Sequence, residues 1–325
     1  MLSPVYTRRF PVKDGFSVVS CSVDCKGDAL RLLARSDLAR LVFSREQSPG
    51  SASFPLTRSD KPYAALLEVT NHYSSYEIEI HDLVSTFPLI ERLPGERILI
   101  VSPRCTRYKD GSHELNAKIY GLDGKLQEEL LLGDGIQHLQ VDQRGRIWVG
   151  YFDEGVYGNF GWGGSGNAAP VGAAGLVCFS DKGEKLWEYQ PVSGTDSISD
   201  VYALNVFGDE AWAYYYTGFP LVRVGHDWRV AAWISQTAGA RAFAVHDESI
   251  LLFGGYDDGP TACRLLHLGN TDQPVENGVT LSLPDGGNLA DSTVIGRGHI
   301  LHVFAGEIWY QFSARHLNDR GTSYC

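Results

Sequence analysis

The chain has 325 residues, among them 36 Gly, 16 Tyr, 14 Phe and 7 Trp, and a formal net charge of −11. That length can bury a sizeable core without disulfides or metals. The acidic balance, with no Lys/Arg run, disfavours phosphate-backbone binding, which needs a basic footprint, so no nucleic-acid partner is expected.

Taken from its start, MLSPVYTRRFPVKDGF has no apolar h-region, so no secretory signal is expected. No window reaches the ~18 apolar residues of a membrane-spanning helix. A cytoplasmic protein with no membrane partner is the expectation. Cys21, Cys25, Cys105, Cys178, Cys263 and Cys325 are scattered, and no second Cys or His pair completes a zinc site. Reduced thiols, mostly buried, are therefore expected.

Within this stretch, residues 4–12 alternate like a strand that has no hairpin partner nearby. Six times afterwards the chain shows an apolar segment, a turn and an apolar strand. The copies are VDCKGDALRLL from Val23, RLPGERILIV from Arg92 and VDQRGRIWVG from Val141, then VFGDEAWAYY from Val206, VHDESILLF from Val245 and VIGRGHILHVF from Val294. Second turns recur between them, at Leu122-Asp123-Gly124, Asp181-Lys182-Gly183 and Gly225-His226-Asp227. Short strands with regular turns predict an all-β meander. Four strands every roughly 40–70 residues is the period of propeller blades.

The predicted fold is a single six-bladed β-propeller domain of four-stranded antiparallel blades, near 15–83, 87–133, 134–192, 196–235, 239–283 and 286–313. The last unit is one strand short, and the strand at 4–12 is expected to complete it and close the ring. Gly27 to Phe43 reads as a strand pair turning at Ser36-Asp37, with one or two helical turns as the alternative. Ser44 to Pro62 and Val156 to Gly175 read as long loops.

The D-x-x-G-x-apolar strand pairs, best matched in VDQRGRIWVG, make the sequence similar to six-bladed β-propellers of the NHL, two-component-regulator and quinoprotein-like kind. The resemblance implies a fold and no particular activity, since such propellers include enzymes and binding scaffolds.

In a propeller, the segments entering the inner strands and the loops after the second strands share one face, where ligands sit. Aligning the copies on their turns puts Ser20, Leu89, His138, Tyr202, Arg241 and Asp291 at equivalent positions. His138, Arg241 and Asp291 are the catalytic candidates, with His138 and Asp291 as a possible acid/base pair. Ordered water in a polar channel explains the same ring equally simply. Asp291, Asn288, Asp200 and Asp134 offer oxygen ligands for a divalent cation, but Arg241 and Leu89 would sit badly beside one. No cofactor and no metal site is the expectation.

The loops after the second strands carry a clearer pattern. Tyr151, Asp153 and Glu154 in blade three recur in part as Tyr216 in blade four and as Tyr256 and Asp257 in blade five. Blade two contributes Arg104, Arg107 and Tyr108. Tyr beside carboxylates on successive blades is a recognition composition, because Tyr gives area and a hydrogen bond at low entropy cost. Strand-end packing accounts for any one of them singly. The insertion after Glu154 is expected to bring Phe160 and Trp162 over the site, as a lid or as a plug. Its glycines match neither a phosphate cradle nor a dinucleotide fingerprint, and no nucleophile elbow is present.

The expected function is non-catalytic recognition of a protein or polar small molecule, through Tyr151, Asp153, Glu154, Trp162, Tyr202, Tyr216, Tyr256 and Asp257. The alternative is a propeller hydrolase, lyase or lactonase with its site at the channel mouth.

Overall fold

A computed structural model describes residues 1–46, 53–164, 166–257, 259, 261–269, 275–284 and 289–318. Its strands, in chain order, begin with β1, Tyr6–Arg9. Blade one follows as β2 (Phe16–Val23), β3 (Ala29–Arg35), β4 (Arg58–Thr70) and β5 (Ser75–Ser85). Blade two is β6 (Leu89–Leu93), β7 (Arg97–Val101), β8 (Ala117–Tyr120) and β9 (Leu126–Leu130). Blade three is β10 (Ile136–Val141), β11 (Ile147–Tyr151), β12 (Leu176–Phe179) and β13 (Lys185–Glu188). Blade four is β14 (Asp200–Phe207), β15 (Glu210–Tyr216), β16 (Pro220–Val224) and β17 (Val230–Ile234). Blade five is β18 (Ala242–His246), β19 (Ser249–Phe253), β20 (Cys263–His267) and β21 (Val275–Val279). Blade six is β22 (Thr293–Arg297), β23 (Ile300–Ala305) and β24 (Ile308–Ser313), with β1 as its outer strand.

Every sheet is four-stranded and antiparallel, five of them meanders contiguous in sequence, and the fold class is a six-bladed β-propeller. Residues 12–189 form one compact unit holding blades one to three; residues 1–11 and 190–325 form a second holding blades four to six. In each unit the first strands of the blades approach one another, which makes them the inner strands. No helix of the described residues is long and apolar enough to cross a membrane.

The recurrent turn has a local cause. In blade three the Asp142 carboxylate accepts the Arg144 and Arg146 amides at 2.9 and 3.0 Å, while Gly145 takes a φ of 84° that favours glycine. Asp24 repeats this in blade one, accepting from Lys26 and Asp28, with Gly27 at a φ of 86°. The Asp thus replaces the turn's missing ladder bonds, and the next strand leaves in a set direction.

Apolar side chains fill the space between neighbouring blades. Trp148 on β11 is buried against Trp187 on β13 at 5.7 Å, and Trp212 stacks on Trp233 in the same way at 5.6 Å in blade four. In the last blade, β1 pairs antiparallel with β24, Tyr6 opposite Gln311, and buried Phe10 packs against Trp309 and Phe304.

Two local expectations are corrected. After β3, the chain does not turn into a second strand. It forms a 3-10 turn at Ser36–Leu38 and α1, Ala39–Val42, because Val42 can then bury under blade one. The polar stretch to Pro62 also ends early: Arg58–Pro62 already belongs to β4, whose Ser59 and Tyr63 are buried while its neighbours face solvent.

Packing between inner strands is closest at Gly296, where an added Cβ would lie 1.8 Å from the Phe243 carbonyl oxygen. Gly296→Ala is expected to lower the melting temperature strongly, whereas Ala at open Gly306 is limited to the modest strain of a φ of 57°. Trp148→Ala should cost about 3–5 kcal/mol in chemical denaturation. Deleting residues 1–11 removes β1 and Phe10; a lower melting temperature and aggregation through the bared β24 edge are expected by calorimetry and light scattering.

Candidate functional site

Strand register decides which inner-strand residues are equivalent. A bulge interrupts β2, β10 and β14 at one shared place, with Val19, Gln137 and Tyr202 as the extra residues. Ser20 and His138 directly follow their bulges, but in blade four that position is Ala203. Matching the two-residue hairpins of blades four and five aligns Arg241 with Tyr202, while Asp291 precedes its strand altogether. The ring read from turn alignment therefore splits by one residue, because the five-residue Asp turns and the two-residue turns are unequal anchors and the bulges are silent in sequence.

His138 lies half-buried on β10 opposite Gly150, in the unit of blades one to three. Arg241 and Asp291 belong to the other unit, and both are exposed. The Arg241 guanidinium lies over the Phe253 ring at 5.0 Å, and its amide donates to the Phe253 carbonyl. Asn288 and Asp258 lie outside the described residues. Among the described residues, no group of three or more His, Cys, Asp or Glu side chains is placed to hold a metal ion. Burial pushes the Cys105 and Cys178 thiols up, away from nucleophilic thiolates.

In blade three, the acidic corner becomes α2, Asp153–Tyr157. Tyr151 just before it is fully buried; its hydroxyl donates to the Leu132 carbonyl and its ring covers Gly172, so it packs inside. Asp153 is exposed, and its carboxylate accepts the Glu154 amide. Glu154 turns inward to an ion pair with Arg104, which also meets Asp134 at 3.0 Å. Arg104 is 2% exposed and lies over the rings of Phe160 at 4.5 Å and Phe152 at 5.3 Å. Burial raises Asp134 to about 6, against the lowering pull of Arg104.

The insertion is anchored on blade two. Phe160 accepts the Arg107 amide at 2.8 Å, buried Trp162 donates to the Cys105 carbonyl at 2.9 Å, and Gly161 lies against the Arg107 carbonyl where no Cβ would fit. Trp162 and Tyr151 thus stabilise the loops rather than presenting surface. A cavity of about 190 Å³ nearby is lined by Arg58 and Lys118 and by Glu114 and Glu129, of which Lys118 and Glu129 pair at 3.1 Å. A larger one, about 490 Å³, lies at the opposite turns beside Cys25, Arg92, Pro94 and Gln143.

In the unit of blades four to six, the loops after the second strands are aromatic and open. Tyr256, 60% exposed, and Tyr216, 45% exposed, meet around Phe219 with the bulged Tyr202. Tyr202, Phe219 and Tyr256 stand mutually near-perpendicular, at 82–85°, with centroids 5.2–6.2 Å apart. The Tyr202 and Tyr256 hydroxyls hydrogen-bond to each other, a bond that with burial raises the Tyr202 phenol.

The cluster is held from beneath. Phe219, with a φ of 53°, stacks on buried Tyr214. The Tyr256 amide donates to the Ala238 carbonyl, and its ring lies over Gly239, where an added Cβ would come within 2.5 Å. Glu276 fixes the loop before Gly239 by accepting from Ser235, Gln236 and Thr237 at 2.6–2.9 Å. Sequence reading missed Phe219 and Gly239. The Gly-Phe-Pro run after three tyrosines was their one visible sign.

Because the folded pKa of Asp134 is raised, the folded state binds a proton that the unfolded chain releases between about pH 4 and 6. The resulting stability is present in full below the unfolded pKa and lost as pH rises through about 6. Asp134→Asn should flatten the decline in melting temperature over that window, while keeping the acceptor for the Cys105 amide.

A family model, the YxzG family, matches residues 172–312, less than half of the chain. No curated protein matches. Among solved structures, a catalytically inactive virginiamycin B lyase from Staphylococcus aureus with quinupristin is 10% identical over 95% of this chain and 99% of that one, with a TM-score of 0.40. YCF48 bound to D1 peptide is 9% identical over 96% and 99%, at 0.41, and AztD from Citrobacter koseri 9% over 87% and 79%, also at 0.41. At such identities and scores these likenesses carry no assignment of function to this chain.

Proposed function

We propose that this propeller is a non-catalytic recognition module that binds a protein or polar ligand on the face formed by the loops after its second strands. The observation that carries this reading is the solvent-open cluster of Tyr202, Tyr216, Phe219 and Tyr256. Exposed large aromatics are costly to leave in water, and here they are contiguous. Their support by Gly239, Tyr214 and the Glu276-pinned loop fixes their orientation in advance, which reduces the entropy lost on binding. Asp257, next to Tyr256, is exposed and available for polar contacts.

The experiment is affinity capture from the native host with the wild-type protein and with a Tyr216→Ala/Tyr256→Ala variant. Both side chains are substantially exposed, so melting should be nearly unchanged while partner retention falls at least tenfold, as for paired interface anchors. Equal retention by both proteins would remove this face as the binding surface. Turnover of a co-purified small molecule would move the assignment to the alternative, a hydrolase, lyase or lactonase.

A further inference from the structure

We infer that the Tyr202–Tyr216–Phe219–Tyr256 cluster receives an arginine side chain from a protein partner, an inference that rests on the recognition reading above. Carboxylates border the cluster. Asp200 lies directly opposite Tyr216 in the β14–β15 ladder, and its charge acts on the Tyr202 phenol. Asp257 follows Tyr256, and exposed Asp196 accepts the Tyr215 hydroxyl through its carbonyl. No Lys or Arg occurs in residues 190–202, 213–220 or 254–262, three of the segments around the cluster. Arg241, two residues after Gly239, is laid over Phe253, and Arg223, four residues after Phe219, lies over Trp212.

A cation is attracted to an aromatic face, more strongly where carboxylates share the site. The ring spacing separates the possible cations. Centroids 5.2–6.2 Å apart at near right angles fill the cluster's interior with edge-to-face contacts, so no enclosed cage remains for a compact ammonium group. What is left is the outer faces of Tyr216 and Tyr256. A planar guanidinium can lie flat on such a face and direct its N–H groups to neighbouring carboxylates, which a tetrahedral ammonium cannot do. An acidic chain of net charge −11 adds long-range attraction for a basic partner segment.

The test titrates the full-length protein, carrying ring-labelled tyrosine, with three tripeptides: acetyl-Gly-Arg-Gly-amide and its Lys and citrulline counterparts. The Arg peptide should shift the Tyr216 and Tyr256 ring resonances saturably, more tightly than the Lys peptide, and the neutral citrulline isostere should not. Tyr216→Ala and Tyr256→Ala should each weaken it by about two- to fivefold. The Asp200→Asn/Asp257→Asn variant should weaken it further and reduce its salt dependence. Equal binding of the citrulline peptide, or no shift at these two rings with any peptide, overturns the inference. If the Tyr216/Tyr256 variant still loses its captured partner in that case, the recognition face stands and only the arginine is wrong. If capture is also unaffected, both readings fall.

Discussion

The inner strand of each blade is an edge of its sheet, and edge strands leave a row of backbone N–H and C=O groups that must find partners. In blades four to six a single buried side chain meets much of that demand. Asn205 donates to the Phe243 and Gly298 carbonyls at 2.8 and 3.0 Å and accepts the Gly298 amide at 2.7 Å. It thereby ties β14 to β18 and to the turn after β22, and the Val245 amide adds a direct bond to Gly298. Between blades one and two the same work falls to carboxylates and an arginine: Ser22 donates to Glu91 on the next inner strand, and Arg92 reaches back to Asp24 and Asp28. Buried polar ties of this kind are costly unless complete, which is why they set one spacing between inner strands.

That spacing orders the loop face above. Where the loops after the second strands carry opposite charges and a long insertion, as at Arg104, Asp134 and Glu154, the loops close over Tyr151 and Trp162, while Tyr108 and Tyr157 stay exposed. Where the loops are short and carry tyrosine, the face remains open. The pattern of Tyr beside Asp is thus one sequence theme with two physical results. The presence of a buried arginine partner decides between them.

Much of the architecture was legible because it is periodic. Turn chemistry at Asp24 and Asp142, alternation along the strands, and the orphan strand around Tyr6 all announce the blades. The site was legible only in part. Tyr216 and Tyr256 can be picked out by composition, but nothing local to Tyr151 reveals that its hydroxyl reaches Leu132 inside the fold. Tyr202 aligns with Gln137 rather than His138 because the two-residue turn after β14 and the five-residue turn after β10 are unequal anchors, and the shared bulge leaves no mark in composition. Phe219 and Gly239 owe their roles to contacts with Tyr256, which lies well away from them in sequence.

The pairing of β1 with β24 also sets an order of events during synthesis. Tyr6 leaves the ribosome long before Gln311, its ladder partner, and at about 5–20 residues per second it waits roughly 15–60 s. Each of the other five sheets is contiguous in sequence and can form as soon as its own hairpins emerge. During the wait, the early strand carries Arg8 and Arg9 in its second half, charges that discourage pairing with a stray edge of another chain. The last blade is therefore a latch that engages only on a chain made through to Ser313. A chain stalled or cut short before that point leaves its first strand without its sheet, a ready mark by which quality control can distinguish it.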